Sequence, residues 1–247
     1  MSTRIVVISD LQVPYHSVRA VDSVARFIKA YRPDDVVCVG DEIDAPQISR
    51  WNKGMRGEFT RDLGRDRDET CRVLEALRVR HISRSNHTDR LLKYVERYAP
   101  GLAGLPELTI EHFLRLDSLG ITYHHRAYDV APGWLMMHGD EGGLSQEPGK
   151  TALNLAKKVG KSVLCGHTHR LCAQPFTESV NGKVTATRWG FEVGNLMDLR
   201  KASYLMTGGA NWQLGFGILH IDGNRVTPIP VPIHKDGSFT VDGRTFR

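Results

Sequence analysis

Short apolar runs alternate with stretches of helical periodicity along the first two thirds of the chain. Almost every residue in the runs 5–8, 36–39, 134–137 and 162–164 is apolar, which is typical of strands buried on both faces of a sheet. Such runs, separated by helices, predict stacked β-α-β units. The pattern therefore favours an α/β fold.

Helical spacing is clearest directly after the first run. Apolar residues recur three or four positions apart between residues 18 and 31, with Ser17 placed to cap the helix N-terminus and Pro33 placed to end it. The same spacing predicts further helices at 63–77, 91–98, 110–114 and 150–159.

The pattern changes to short extended segments from about residue 180. Asn-Gly and Asp-Gly pairs, which favour tight hairpin turns, occur at Asn181-Gly182, Asp222-Gly223 and Asp236-Gly237. Residues 180–247 are therefore predicted to be mostly β. No stretch has the composition of a linker, and we expect residues 1–247 to form one domain.

The composition is that of a soluble globular protein, with 40% hydrophobic and 25% charged residues. No apolar run approaches the ~20 residues that span a bilayer, and residues 1–4 lead into a strand rather than a signal-peptide core, so we expect a cytoplasmic protein without a membrane partner. The four cysteines lack the paired spacing of a metal site. The net charge of +5 permits an anionic partner without requiring one.

Polar residues follow five of the strand-like runs. Because the carboxyl ends of parallel strands meet at one edge of a sheet, we expect these polar loops to converge. Together they offer carboxylates, carboxamides and imidazoles, which are metal-ligand groups. The loops are Asp10-Leu11-Gln12, Gly40-Asp41-Glu42-Ile43-Asp44, Ser85-Asn86-His87 after the run 80–84, His138-Gly139-Asp140, and Gly166-His167-Thr168-His169.

These five motifs, in this order, resemble those of the calcineurin-like metallophosphoesterase family. The family pattern reads Asp-x-His, Gly-Asp-x-x-Asp, Gly-Asn-His-Asp/Glu, a lone His and Gly-His-x-His, and the resemblance covers residues 5–169. It implies a sandwich of two mixed β-sheets flanked by helices and an enzyme that hydrolyses phosphate esters. The form of the first motif looks most like that of phosphoesterases encoded by bacteriophages.

The resemblance also implies two divalent metal ions bridged by one carboxylate, that of Asp41. Mn²⁺ is favoured, with Mg²⁺, Zn²⁺, Fe or Ni as alternatives. The ligands implied for the first ion are Asp10, Gln12, Asp41 and His169. Those implied for the second are Asp41, Asn86, His138 and His167.

The charge balance of such a centre suits a phosphate ester. Two divalent ions bring four positive charges, Asp10 and Asp41 remove two, and a bridging hydroxide removes a third, so the centre stays cationic. Two ions ~3.5–4 Å apart hold the phosphoryl group from both sides and lower the pKa of the water that attacks it. No nucleophilic side chain is required.

Three residues depart from the family pattern. Gln12 replaces a histidine, and its neutral carboxamide oxygen is a weaker donor that suits Mn²⁺ or Mg²⁺ better than Zn²⁺. His16 or water is the alternative ligand at that position. Ser85 replaces a glycine and is expected to strain the turn, and Thr88 replaces an acidic residue.

His87 and Asp44 are implied to act beside the metals. His87 would donate to a phosphate oxygen or protonate the leaving group, and Asp44 would orient its imidazole, as such partners fix the tautomer of a histidine. Asp44 is equally suited to capping a helix N-terminus.

A basic segment, residues 50–56, directly follows the second motif. Trp51 is placed to stack on a base, and Arg50, Lys53 and Arg56 to contact phosphates; the alternative is a solvated helix or loop with a buried tryptophan. His16 is a further candidate for substrate binding. We therefore expect a phosphodiesterase that acts on nucleotides or nucleic acid. The alternatives are a phosphomonoesterase on a small molecule or phosphoprotein, and a nucleic-acid-binding protein with weakened catalysis.

Overall fold

Strands and helices alternate along the first two thirds of the chain, as the apolar pattern predicts. A computed structural model describes residues 2–59, 62–201 and 210–247. Its strands are β1 (Thr3–Ile8), β2 (Asp35–Cys38), β3 (His81–Ser83), β4 (Thr122–His124), β5 (Tyr128–Ala131), β6 (Trp134–Met136), β7 (Ser162–Cys165), β8 (Leu171–Val180), β9 (Lys183–Val193), β10 (Gly215–Asp222), β11 (Arg225–Pro232), β12 (Phe239–Val241) and β13 (Arg244–Phe246). Its α-helices are α1 (Val18–Tyr31), α2 (Arg56–Phe59), α3 (Leu63–Ala76), α4 (Asp89–Tyr98), α5 (Ile110–Phe113), α6 (Leu116–Leu119) and α7 (Lys150–Val159).

The strands form two mixed sheets and one small hairpin. The first sheet has the order β11-β10-β1-β2-β3-β4. Strands β1 to β4 are parallel, β10 runs antiparallel to β1, and β11 runs antiparallel to β10. The second has the order β5-β6-β7-β9-β8, in which β6, β7 and β9 are parallel. β12 and β13 pair with each other.

The two sheets pack face to face with helices on their outer faces. In β1, Ile5 and Val7 point into the layer between the sheets, where they join Leu164 and Phe191 of the second sheet. The alternate residues of β1 pack against the helices of the first sheet, including α1 and α3. Helix α7 covers the outer face of the second sheet. This arrangement confirms the predicted fold class, two mixed sheets flanked by helices.

The ends of helix α1 lie where Ser17 and Pro33 predicted them. The Ser17 hydroxyl accepts a hydrogen bond from the Ala20 N–H at 3.5 Å, and the helix ends at Tyr31, where Arg32 adopts a left-handed conformation one residue before Pro33. Such capping satisfies backbone groups that have no partner within the helix. The helix thereby connects β1 to β2, whose carboxyl ends carry the first two polar motifs.

The C-terminal part is mostly β, but the β structure begins earlier than predicted. The hairpin of β8 and β9 starts at Leu171, and its turn lies at Asn181-Gly182 as expected. Long strands with polar faces carry a weak apolar signal, which explains the missed start. Residues 202–209, which belong to the part predicted as mostly β, lie outside the described residues. None of the described helices has the length and apolar character needed to traverse a bilayer.

Candidate metal centre

The five polar motifs converge at one edge of the two sheets. A cavity of about 610 Å³, which we call the metal cavity, opens there. Five of the seven predicted metal ligands line it: Gln12, Asp41, Asn86, His167 and His169. The other two, Asp10 and His138, are fully buried and contact the lining residues from the interior. The structure thus brings all seven predicted ligands together.

The first group of ligands surrounds His169. Its Nε2 lies 3.1 Å from Asp10 Oδ1, although without hydrogen-bond geometry, and 3.1 Å from Gln12 Nε2. The other Asp10 oxygen, Oδ2, accepts hydrogen bonds from the Ser9 hydroxyl and the His167 N–H at 2.6 and 3.0 Å. These bonds fix Asp10 so that Oδ1 faces His169.

Close approach of two loops requires a glycine at position 166. A Cβ atom there would lie 1.9 Å from Ser9 Oγ and 2.5 Å from Asp10 Oδ2, far inside van der Waals contact. Gly166 therefore allows the loop after β7 to bring its histidines against Asp10.

The second group of ligands surrounds His138. Its Nε2 lies 3.3 Å from Asp41 Oδ1 and 3.0 Å from Asn86 Oδ1, and its Nδ1 is 2.7 Å from the Val39 carbonyl oxygen. An N–H at Nδ1 donates to that carbonyl, which leaves Nε2 facing the cluster as a ligand atom. Ligand atoms of Asp41, His138 and His167 lie within 4.8 Å of one another, close enough to hold a metal ion.

Backbone conformation marks the same residues. Positive φ angles between 47° and 64°, in the left-handed region, occur at five of the predicted ligands: Asp10, Gln12, Asp41, His167 and His169. Residues other than glycine seldom adopt this conformation, and it concentrates at functional sites. The fold therefore holds these loops in a conformation that local preference alone does not explain.

Two buried oxygens in the cluster have no hydrogen-bond partner, Asp10 Oδ1 and Gln12 Oε1. Buried polar atoms are nearly always paired, since an unpaired one costs its full desolvation. Carboxylate and carboxamide oxygens are both ligand atoms for divalent cations, which would supply the missing partner. The donor set therefore fits a metal ion.

The electrostatics of the cluster favour positive charge. Burial raises the pKa of Asp10 and Asp41, but nearby imidazoles outweigh it, so both pKa values lie below normal. Burial lowers the pKa of His138, but the Asp41 carboxylate outweighs that effect and raises it to about 10. Without a metal, a proton on His138 supplies positive charge, and a metal ion must displace it.

His87 lies beside the cluster, next to Asp44. Its Nδ1 is 3.1 Å from Asp44 Oδ1, without hydrogen-bond geometry, and its Nε2 is 3.7 Å from Asp41 Oδ2. Arg90 contacts both partners: one guanidinium nitrogen lies 2.9 Å from His87 Nε2, and the other is 3.2 Å from Asp44 Oδ1 and donates to the Asp44 carbonyl. Asp44 caps no helix here, since the next short helical turn starts at Pro46 and is preceded by Ala45.

Ser85 does not strain its turn, contrary to expectation. It has no positive φ angle, and its hydroxyl accepts hydrogen bonds from the backbone N–H groups of Asp41 and Thr88 at 3.0 and 3.3 Å. A Cβ at Gly40 would approach the Ser85 Cβ to 2.6 Å. The serine therefore ties the loop that carries Asp41 to the loop that carries Asn86.

Arg84 connects the same region to the end of β6. Its guanidinium donates to both Asp140 carboxylate oxygens at 2.8 Å, and its Nε donates to Asp89 at 3.1 Å. These are charge-assisted bonds between partly buried groups. Arg84 thus joins the start of α4 to the loop that follows His138.

The basic segment reaches the cavity in part. Trp51 lines it and is 70% exposed, so the alternative of a buried tryptophan is wrong. Arg50 stacks on the Trp51 ring at 4.6 Å. Lys53 lines a neighbouring cavity, whereas Arg56, among the described residues, contributes to neither lining.

His16 is not brought to the metal cavity. Its backbone forms a bridge to Met197, and its imidazole turns towards α3, where Nε2 lies 3.9 Å from Glu69. Neighbours in sequence diverge here because the chain turns between Gln12 and His16. The placement argues against His16 as a ligand or as a residue that binds substrate at this cavity.

Sequence reasoning missed several residues that line the cavity. They are Tyr15, Ser49, Arg90, Lys201 and Trp212. The sequence could have predicted Arg90, because it follows His87 by three positions at the start of a helix and so lies on the same side. Lys201 and Trp212 lie far from any motif; the Trp212 ring packs 4.1 Å from the His169 ring.

Fold and site define an α/β protein with a candidate metal-binding centre at its strand ends. The chain belongs to the family of the mycobacteriophage Gene 54 proteins. The Gene 54 protein of Mycobacterium phage D29 is 40% identical over 255 residues, covering all of this chain and 99% of that protein. That of Mycobacterium phage L5 is 39% identical over 256 residues with the same coverage. No known protein-family profile matches the sequence.

Solved structures with a similar chain path share little sequence with this protein. Vacuolar Protein Sorting 29 from Cryptosporidium parvum has 14% identity and a TM-score of 0.49 over 99% of this chain and 94% of its own. The Entamoeba histolytica protein of that name, complexed with Zn²⁺, has 15% identity and a TM-score of 0.45 over 98% and 96%. A predicted phosphoesterase from Streptococcus pneumoniae has 13% identity and a TM-score of 0.40 over 100% and 99%. Similarity at this level assigns no chemistry.

Glu42 is a second buried group whose charge depends on pH. It is fully buried, and neither carboxyl oxygen has a hydrogen-bond partner. Burial, reinforced by the Asp41 carboxylate, raises the pKa of Glu42 to about 8. The neutral acid is therefore the favoured form at neutral pH.

We expect the metal-free protein to lose stability as the pH rises. The pKa values of Glu42 and His138 in the folded state exceed their ordinary values of 4.5 and 6.5, so these two groups keep protons in the folded state that the unfolded chain has released. Burial lowers the pKa values of His16, His124 and His167 from 6.5, which opposes this effect at lower pH, so the fall in stability should be clearest above about pH 6.5. Glu42→Gln should flatten the fall between about pH 5 and 8, because it removes the cost of ionising the buried acid. Urea unfolding with a chelator at each pH measures the effect.

The exposed Glu75 provides the matched control, since Glu75→Gln should leave the pH profile unchanged. A Glu42→Gln profile identical to that of the wild type would show that the buried acid is not the source of the dependence.

Proposed function

We propose that this protein is a metal-dependent phosphoesterase that hydrolyses phosphodiester bonds of nucleotides or nucleic acid. The observation that carries the proposal is the convergence of seven carboxylate, carboxamide and imidazole side chains around one cavity with an exposed tryptophan at its rim. The resemblance of the five motifs to those of calcineurin-like metallophosphoesterases supports the same reaction. Because the relatives are phage proteins, we expect it to act in the cytoplasm of the host.

The ligands fall into two groups, which supports two ions, with Mn²⁺ favoured. Asp10, Gln12 and His169 form one group, and Asp41, Asn86, His138 and His167 form the other. The motif resemblance implies that Asp41 serves both ions. Bound divalent ions would supply Lewis-acid chemistry, neutralising phosphoryl charge and lowering the pKa of water. The protein's part is to hold its ligand atoms on the side of the cavity where a phosphate enters.

His87, Arg90 and Lys201 act on the substrate in this proposal. His87 stands at the cavity wall beside Asp41, in position to donate a proton to a phosphate oxygen or to the leaving group. Asp44 positions the imidazole from the other side. Arg90 and Lys201 add positive charge for a phosphate diester, and Trp51 offers a surface on which a base can stack.

Hydrolysis of a chromogenic diester in Mn²⁺, compared with the matching monoester, tests the proposal. The wild type should favour the diester, and Asp41→Asn should abolish turnover at every metal concentration, because a shared ligand contributes several kcal/mol of charge stabilisation. Retention of more than about a tenth of the activity would contradict a shared ligand. Preference for the monoester would indicate a phosphomonoesterase, and oligonucleotide binding without turnover would indicate a binding protein.

His87→Ala should keep its metal content but slow turnover by ~10²-fold or more, the usual scale for a proton donor in the transition state. The loss should be largest for esters with poor leaving groups, which most need the proton. Elemental analysis of the purified variant serves as the control. Loss of a metal ion on this substitution would make His87 a ligand and overturn its assigned role.

Gln12 should be a weak but true ligand of the first ion. Its Oε1 is buried without a partner, and a neutral oxygen donor binds more weakly than an imidazole. Gln12→His should tighten Mn²⁺ binding, since histidine tolerates the left-handed backbone that His167 and His169 already adopt. Gln12→Ala should weaken it without abolishing activity at saturating metal. Calorimetric titration with Mn²⁺ measures all three proteins, and coincident curves would exclude Gln12 as a ligand.

A further inference from the structure

A second cavity adjoins the metal cavity. Its volume is about 340 Å³, and it shares the residues Ser49, Trp51, Asn86 and Arg90 with the metal cavity. One wall is the basic segment, and the other is the outer face of helix α4. We call this cavity the α4 groove and define it by Arg50, Trp51, Lys53, Lys93, Arg97 and Tyr98.

Helix α4 divides into a buried face and a basic, aromatic face. Leu91 and Val95 are buried. Two pairs of α4 side chains line the groove, Lys93 with Arg97 and Tyr94 with Tyr98, and the members of each pair are four residues apart. Side chains at this spacing lie one above the other on a helix, so they form a continuous stripe beside Arg90.

Charge in the groove is strongly unbalanced. Five cations line it, Arg50, Lys53, Arg90, Lys93 and Arg97, against the single carboxylate of Glu58. That carboxylate already accepts from the Gly54 N–H and lies 3.8 Å from Lys53. Outside the lining, Arg90 and Lys93 pair with Asp44 and Asp89 at 3.2 and 3.0 Å. The five cations still outnumber these carboxylates, so the groove keeps an excess of positive charge that suits a polyanion.

Aromatic rings accompany the cations. Trp51 and Tyr98 are 70% and 43% exposed, Arg97 lies 5.5 Å from the Tyr98 ring, and Lys53 lies 3.9 Å from the same ring. Unpaired bases stack on exposed rings of this kind, whereas the bases of a duplex are stacked on each other. An acidic peptide or phosphopeptide would use the cations but not the rings.

We propose that the α4 groove binds the single-stranded nucleic acid that flanks the bond to be cleaved. This inference rests on the proposed function, because it takes the metal cavity as the position of the scissile phosphate. Trp51 and Arg90 belong to both cavities, so a strand can pass from one to the other without leaving the protein surface. The substrate class is then a polynucleotide rather than a free nucleotide.

Binding measured in a chelator tests the groove without requiring catalysis. Fluorescence anisotropy with a labelled single-stranded 12-mer should show about tenfold weaker binding for Lys93→Ala/Arg97→Ala, and the slope of log K against log salt should fall by about 1.4, that is, 0.7 for each of two phosphate contacts. Tyr98→Ala should weaken binding by about fivefold or more through lost stacking. Alanine favours helix, and thermal unfolding checks that each variant folds.

The matched control is Lys157→Ala/Lys158→Ala, which removes the same charge from exposed positions on α7, the helix that covers the second sheet. This control should bind the 12-mer like the wild type. Equal weakening by the two double variants would contradict the proposal that the α4 groove binds single-stranded nucleic acid. Tighter binding of a duplex or a phosphopeptide than of the single strand would contradict it as well. If the wild type binds the strand through α4 but hydrolyses no diester, the result supports the α4 groove as a binding site and contradicts the proposed phosphodiesterase function.

Discussion

The rest of this structure depends on two fully buried aspartates, Asp10 and Asp41, at the ends of neighbouring parallel strands. An isolated carboxylate in a protein interior costs many kcal/mol unless positive charge or hydrogen bonds compensate it. Here imidazoles from three other loops surround Asp10 and Asp41, and backbone N–H groups of His167 and His87 donate to them. The sandwich supplies the rigid strand ends from which these loops project.

Loop geometry follows from that requirement. Asp10, Asp41 and His167 have left-handed backbone, and Gly166 permits a separation that any Cβ would prevent. Such conformations cost of order 1–3 kcal/mol each. They persist because the sheets and the Ser85 hydroxyl fix the loops on which they lie.

The sequence predicts what depends on local pattern and fails where a contact joins distant segments. Buried strands and α1 could be predicted from the spacing of apolar residues, and the seven candidate ligands from the resemblance of the strand-end motifs to the metallophosphoesterase pattern. Lys201 and Trp212 carry no pattern, because their place in the cavity depends on the path of the C-terminal chain. Adjacency in sequence misled for His16, whose backbone pairs with Met197 and turns the side chain away.

The Arg84 guanidinium has a consequence for how this protein can evolve. It joins Asp89 at the start of α4 to Asp140 beyond β6. A helix that contributes to both cavities and the loop that carries the candidate ligand His138 therefore share a single cation. Replacing Arg84 alone would leave two partly buried carboxylates without their shared cation. Drift at these three positions should therefore be concerted, and the segments that carry them should diversify together among related phage genes rather than one at a time.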